Sequence, residues 1–171
     1  MKKGFTLIEL LVVVSIISLL AAMILVSLSM ARARARDSER KQNMIQLRTA
    51  LELYQAQNNS YPVQPYWTTA PTGLSSCSWS HESEDWIPGL ASAGNGGPFI
   101  PSLPKDPNPK RVPCRGYYYI SDGKDYMILN NIAESDPAPQ DAFYRFPAGC
   151  REDPLRRAHT FVVYTEGWRC L

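Results

Sequence analysis

Residues 10–31 carry no charge and are mostly apolar, and they follow directly on Glu9. About 20 such residues in a helix, at 1.5 Å rise each, cross the hydrocarbon core of a bilayer. A carboxylate at the edge of that segment costs roughly 2.5 to 3.5 kcal/mol on insertion scales, so Glu9 requires a partner. Secretory signals place their small-residue cleavage site after the apolar segment. Here Met1-Lys2-Lys3-Gly4 puts the small residue before it. Cleavage after Gly4 discards the basic leader, keeps the apolar segment and creates an α-amino group on Phe5, four residues from Glu9. That amine, of the same molecule or of a neighbour, is the charge Glu9 lacks.

The run Lys2-Lys3-Gly4-Phe5-Thr6-Leu7-Ile8-Glu9-Leu10-Leu11 resembles the leader and mature start of type IV prepilins and type II secretion pseudopilins. The resemblance implies that a prepilin peptidase cuts between Gly4 and Phe5 and methylates the new terminus. It implies that Glu9 pairs with the terminal amine of an adjacent subunit during filament assembly. The expected partners are identical or related pilin subunits, the peptidase, an assembly ATPase with its platform machinery, and the membrane. The expected location is a single pass of the inner or cytoplasmic membrane before assembly, with an extracytoplasmic C-terminal domain, and an extracellular or periplasmic filament afterwards. Charge alone argues the other way, because Arg32, Arg34, Arg36, Arg40 and Lys41 follow the span and only Lys2 and Lys3 precede it. The cysteines, discussed below, and the resemblance favour the outward domain.

The helix is predicted to continue past the membrane. No Gly or Pro occurs between Gly4 and Pro62, and Met44, Leu47, Leu51 and Tyr54 recur at helical spacing with Ala50 on the same side. Arg48 with Glu52 and Asp37 with Lys41 form opposite-charge pairs at i, i+4, expected on exposed sides. The basic run from Arg32 to Lys41 reads as a solvated face at the lipid boundary. Asn58-Asn59-Ser60-Tyr61-Pro62 ends the helix, since the residue before proline avoids the α region and Asn tolerates a left-handed cap. Many pilins carry a proline midway along the apolar half; this chain has none there.

All 14 prolines and all 4 tryptophans lie after residue 60, so the chemistry of the chain changes there. Residues 61–97 read as an irregular loop region, with a short helical turn over 82–87. The clearest strand signal is 116–130, where Tyr117-Tyr118-Tyr119-Ile120-Ser121 and Lys124-Asp125-Tyr126-Met127-Ile128-Leu129 flank Asp122-Gly123. That dipeptide suits a two-residue type I′ turn, which would set Ser121 opposite Lys124 and Tyr119 opposite Tyr126. Both faces of the hairpin are apolar, so alternation does not say which meets the helix. A last strand is expected over 159–165. Leu103-Pro104-Lys105-Asp106-Pro107 before the tyrosine-rich strand is similar to the LP-x-DP pattern of the major type II secretion pseudopilins. The expected fold is α+β: a leader over 1–4, a transmembrane and filament-core helix over 5–31, its amphipathic continuation over 32–58, and a globular domain with a small antiparallel sheet over 59–171.

Cys77, Cys114, Cys150 and Cys170 show no CxxC spacing and suit disulfides in an oxidising compartment. Three pairings are open; Cys77 with Cys114 and Cys150 with Cys170 would close successive loops. The two histidines, His81 and His159, sit in no zinc-protease or nucleophile-elbow motif, so an enzyme is not expected. No cofactor is expected, save that some secretion pseudopilins bind calcium and Asp122 and Asp125 offer hard oxygen ligands. Removing Lys2 and Lys3 from the 18 basic residues leaves 16 against 16 acidic ones, so attraction to nucleic acid is weak. Two other functions fit the same residues: a monomeric membrane-anchored extracytoplasmic binding domain, and a minor competence pilin contacting DNA.

Overall fold

A computed structural model describes residues 4, 6–69, 81–92, 96–108, 116–131, 133–135 and 160–168. Helix α1 runs Leu7–Asn58, 52 residues, or about 78 Å at 1.5 Å per residue. It stops where the sequence supplies a stop. Asn59 takes the left-handed conformation at φ 57°, and its backbone N–H bonds the Gln55 carbonyl, a role Asn fills better than most residues with a Cβ.

Five strands follow: β1 Gln64–Thr69, β2 His81–Glu82, β3 Tyr117–Ser121, β4 Tyr126–Asn130 and β5 Phe161–Tyr164. They form one sheet in the order β2-β1-β3-β4-β5. The four longer strands pair antiparallel, and the two-residue β2 pairs parallel with β1 at the edge. The expected long helix on a small antiparallel sheet is therefore the observed α+β fold.

Two expectations in the loop region fail. Residues 64–69 are a strand, although Pro65 reads as a strand breaker; the register shifts between Gln64 and Thr68, so Pro65 sits where the ladder asks for no donor. The helical turn expected over 82–87 is instead the end of β2 followed by turns, closed where the Leu90 N–H meets the Ile87 carbonyl at 3.2 Å.

The hairpin also differs. Ser121 pairs with Tyr126 and Tyr119 with Ile128, so the connection is the four residues 122–125. Only Gly123 has positive φ, at 92°; a type I′ turn needs it at Asp122 as well. Asp122 instead folds its carboxylate onto the N–H groups of Lys124 and Asp125, at 2.9 and 2.8 Å, the local competition that makes Asp a turn residue. The slip is by two residues, so every side chain keeps its face.

That face meets the helix. Tyr117, Tyr119, Tyr126, Ile128 and Phe161 pack with Met44, Leu47, Ala50, Leu51 and Tyr54 of α1 and with Trp86, Ile87 and Leu90 in one cluster. Trp86 stacks on Tyr117 with ring centroids 6.0 Å apart, and Tyr61 meets Tyr126 edge-on at 4.7 Å. Such pairs contribute about 0.5 to 1.5 kcal/mol each beyond area burial. The opposite face carries a smaller cluster around Met127, Val162 and Trp168.

Candidate functional site

The amino-terminal end of α1 is built from two residues. Thr6 is the N-cap in extended conformation. Its hydroxyl accepts the Glu9 N–H at 3.3 Å and donates to the Glu9 carboxylate at 2.8 Å, while the Thr6 N–H donates to the same oxygen at 2.9 Å. This reciprocal box satisfies helix donors that have no intrahelical acceptor, and it sets an anion at the positive end of the helix dipole. Glu9 is exposed on the subunit, and both Thr6 donors fall on one of its carboxylate oxygens. Gly4 is exposed too, with nothing within 4 Å of where a Cβ would stand. Phe5 lies outside the described residues.

Above this end, the first half of α1 is apolar on every side and covered by nothing. Leu7 is 81% exposed and Leu25 66%, and the segment is long and apolar enough to cross a membrane, with none of it buried in the subunit. Two of its hydroxyls are already spent on the helix itself: that of Ser15 donates to the Val12 carbonyl and that of Ser18 to the Val14 carbonyl, both at 2.7 Å. Such a rod has no stable place in water.

Where the rod enters the head, a buried charge cluster fixes it. Arg40 has no exposed surface. Its Nε and Nη2 bind both oxygens of Asp106 at 2.8 Å each, Nη1 binds Asp37 at 2.7 Å and Nη2 also reaches Glu134 at 2.9 Å. Asn130 of β4 donates to Asp106 at 2.9 Å, and Arg36 grips both oxygens of Glu134 at 2.9 and 2.6 Å. Asp37 accepts the backbone N–H groups of Glu134 and Ser135 and the Ser135 hydroxyl. Burial by itself would lower the Arg40 pKa, but Asp106, Glu134 and Asp37 outweigh it and leave the guanidinium more firmly protonated than usual. The Arg36 hydrogen bond, helped by Arg40 and opposed by burial, takes the Glu134 carboxyl down to about 2.

This cluster corrects the view of residues 32–41 as a solvated face. Arg32 and Arg34 are exposed, but Arg36, Asp37 and Arg40 turn into the head. Asp37 pairs with Arg40 at i, i+3, whereas Lys41 lies over the Phe161 ring at 5.4 Å. A signal was present: Arg40 stands four residues before Met44 and seven before Leu47, on the core stripe itself. Its chief acceptor, Asp106, is the acid of the LP-x-DP run.

At the hairpin tip, Asp122 is occupied by turn N–H groups, and the Asp125 carboxylate accepts the Thr165 hydroxyl at 2.7 Å. Among the described residues no group of three or more acidic, histidine or cysteine side chains is arranged to hold a metal. Cys77, Cys114, Cys150, Cys170, His159 and the side chain of His81 lie outside the described residues.

A family model described as the prokaryotic N-terminal methylation motif matches residues 1–25. The chain is 31% identical over 129 residues to the type II secretion system core protein G of Escherichia coli, covering 75% of this chain and 72% of that protein. It is 29% identical over 119 residues to the core protein G of Aeromonas hydrophila, covering 68% and 76%. Over 59 residues it is 48% identical to the type IV wide pilus major component PilA4 of Thermus thermophilus, covering 34% of this chain and 45% of that one. No solved structure matches the chain. With an exposed apolar rod, a capped Glu9 and these relatives together, the chain belongs to the type IV pilin and type II secretion pseudopilin family.

Proposed function

We propose that this chain is a structural subunit of a type IV pilus-like or secretion pseudopilus filament. It enters the membrane by the apolar half of α1 with the head outside, is cut after Gly4 by a prepilin peptidase, and polymerises with identical or related subunits. An assembly ATPase and platform machinery lift it from the bilayer. It performs no reaction of its own. One observation carries this reading: residues 7–25 are exposed on all sides of a helix whose other half is locked into a closed head. Lipid covers that rod first, and sibling helices cover it afterwards.

Glu9 sets the register. Thr6 and Glu9 both lie on the retained side of the cut, so the box survives processing. The new Phe5 amine would then stand one residue from the cap. A carboxylate holding two donors from Thr6 still has acceptor positions for an amine of a neighbouring subunit, and a charge pair in a dry helix bundle is tolerable only when both ions meet. Register errors leave two unpaired charges and are disfavoured.

The test is Glu9→Ala in the full chain, expressed with its peptidase and assembly machinery. Insertion and the shortened N-terminus by mass spectrometry are expected unchanged, with the filament fraction falling tenfold or more. Undiminished filaments from that variant would remove Glu9 from assembly. An intact Met1 on the mature protein would remove the processing step.

A further inference from the structure

The cations that follow the apolar segment divide into two groups. Arg36 grips Glu134, Arg40 is enclosed by Asp106, Asp37 and Glu134, and Lys41 lies over the Phe161 ring. Arg32 and Arg34 take no part in this. Both are exposed, and neither makes a hydrogen bond or ion pair with any described residue. The nearest acid of α1 outside the buried cluster is Glu39, five residues and about 7.5 Å along the axis beyond Arg34.

Their height on the helix is set by the segment below them. Residues 10–31 are uncharged and rise about 33 Å, which matches the hydrocarbon core of a bilayer. With that segment filling the core, Arg32 and Arg34 fall in the headgroup layer on the side of the head. Two residues apart, they stand about 200° from each other around the helix and so flank it. Arg32 precedes Arg36 by one turn and lies on the side of the head; Arg34 lies on the other.

The acceptors available at that height are phosphate oxygens and water. A guanidinium meets two phosphate oxygens with its planar fork and is more weakly hydrated than an ammonium, so the exchange of water for phosphate favours it. In a zwitterionic lipid the phosphate is answered by its own ammonium, whereas in an anionic one it is not. The base of the head by itself repels such lipids, because its cluster sets the cations Arg36 and Arg40 against the carboxylates of Asp37, Asp106 and Glu134, two against three. Arg32 and Arg34 make the count four against three and reverse the sign.

Resting on the membrane reading above, we infer that Arg32 and Arg34 bind the phosphates of anionic lipids in the leaflet that faces the head. They hold the waiting subunit at one depth, and leaving the bilayer breaks these contacts.

The experiment uses the full chain, the double variant Arg32→Gln with Arg34→Gln, the double variant Arg32→Lys with Arg34→Lys, and Arg48→Gln as a control on an exposed arginine far from the span. Each is purified from micelles holding equal amounts of phosphatidylglycerol and phosphatidylcholine, and native mass spectrometry counts the lipids retained. Each basic residue near an anionic surface strengthens the attraction roughly fivefold. The excess of phosphatidylglycerol over phosphatidylcholine on the unaltered chain is therefore expected to fall tenfold or more in the Gln pair, leaving what Lys2 and Lys3 contribute, and to change less than twofold in Arg48→Gln. The Lys pair retains most of it, and the thermal midpoint in micelles is the same for all four proteins. An unchanged excess in the Gln pair overturns the inference, as does a loss accompanied by a lowered midpoint, because neither arginine takes part in the fold. Inorganic phosphate added in large excess is expected to leave the retained lipid in place; displacement by it would mark a site for free anions and overturn the membrane assignment. Alkaline extraction from vesicles of the same two lipids separates the two readings: an unaltered chain that alkali releases sinks the membrane reading and this inference with it, whereas one that stays inserted without a lipid preference overturns the inference alone.

Discussion

The two halves of α1 have the same backbone and opposite circumstances. Leu47 and Leu51 are wholly buried, while Leu19 is 62% exposed and Leu20 54%. In the second half each leucine already has its neighbours, so its energy belongs to the fold of the subunit. In the first half the neighbours are supplied from outside, by lipid or by other helices, and the energy belongs to location and assembly. One helix thus couples a finished domain to an unfinished surface. The seam between them is the ionic cluster at Asp37 and Arg40.

That contrast can be broken most forcefully at Arg40. Arg40→Met removes the cation that answers Asp106, Asp37 and Glu134, and stranding buried carboxylates in this way costs about 3 to 5 kcal/mol. Chemical unfolding of the full-length subunit in micelles should show the loss. A change within about 0.5 kcal/mol would mean the cluster is not what holds rod to head. Next in size is a matched pair. Leu47→Ala should cost about 2 to 5 kcal/mol of subunit stability, whereas Leu19→Ala in the same assay should lie within about 0.5 kcal/mol. Equal effects would erase the distinction between the two halves.

The sequence already showed much of this division, and the reasons are specific. The long helix was legible because nothing between Gly4 and Pro62 can break it and Asn59 can end it. Glu9 was legible because an acid beside an uncharged run of residues stands out in any context. The ionic cluster was not, because its members lie at 36–40, 106, 130 and 134, and only folding brings Asp106 to Arg40. Strand β1 was hidden by Pro65, whose effect depends on a register shift that local patterns do not encode. The hairpin register turned on whether Asp122 would take positive φ or use its carboxylate, and composition alone does not decide that.

Acid sharpens the comparison further, because the most strongly depressed carboxyl, Glu134, belongs to the head. Glu134 has its folded pKa depressed to about 2 from an ordinary 4.5. A depressed carboxyl contributes its stability above the unfolded value, so the contribution is full above about pH 4.5 and disappears as pH falls toward about 2. The size is on the order of 3 kcal/mol. The unfolding free energy of the subunit should decline through that window, and Glu134→Gln should flatten the decline while lowering stability at neutral pH. An unaltered slope in the variant would remove Glu134 from the acid response.

The smallest effect is expected at the far end of the rod, where, among the described residues, the box of Thr6 and Glu9 is the side-chain device that closes the helix. Thr6→Ala removes the hydroxyl that accepts the Glu9 N–H and donates to its carboxylate. Loss of an N-cap costs typically about 1 kcal/mol, but residues 7–10 touch nothing in the head, so fraying there does not propagate to Asp37. Amide exchange in micelles should therefore quicken roughly fivefold over the first turn, with the global unfolding midpoint unchanged. If the midpoint moved as well, the two halves would be cooperative, and the rod could no longer be treated as an open surface waiting for partners. Because Glu9 keeps its charge in this variant and loses only the hydroxyl donor, the backbone N–H of residue 6 remaining, the same protein separates the cap from the intermolecular pair: filament yield that survives Thr6→Ala yet fails in Glu9→Ala assigns the assembly role to the carboxylate and not to the helix terminus it closes.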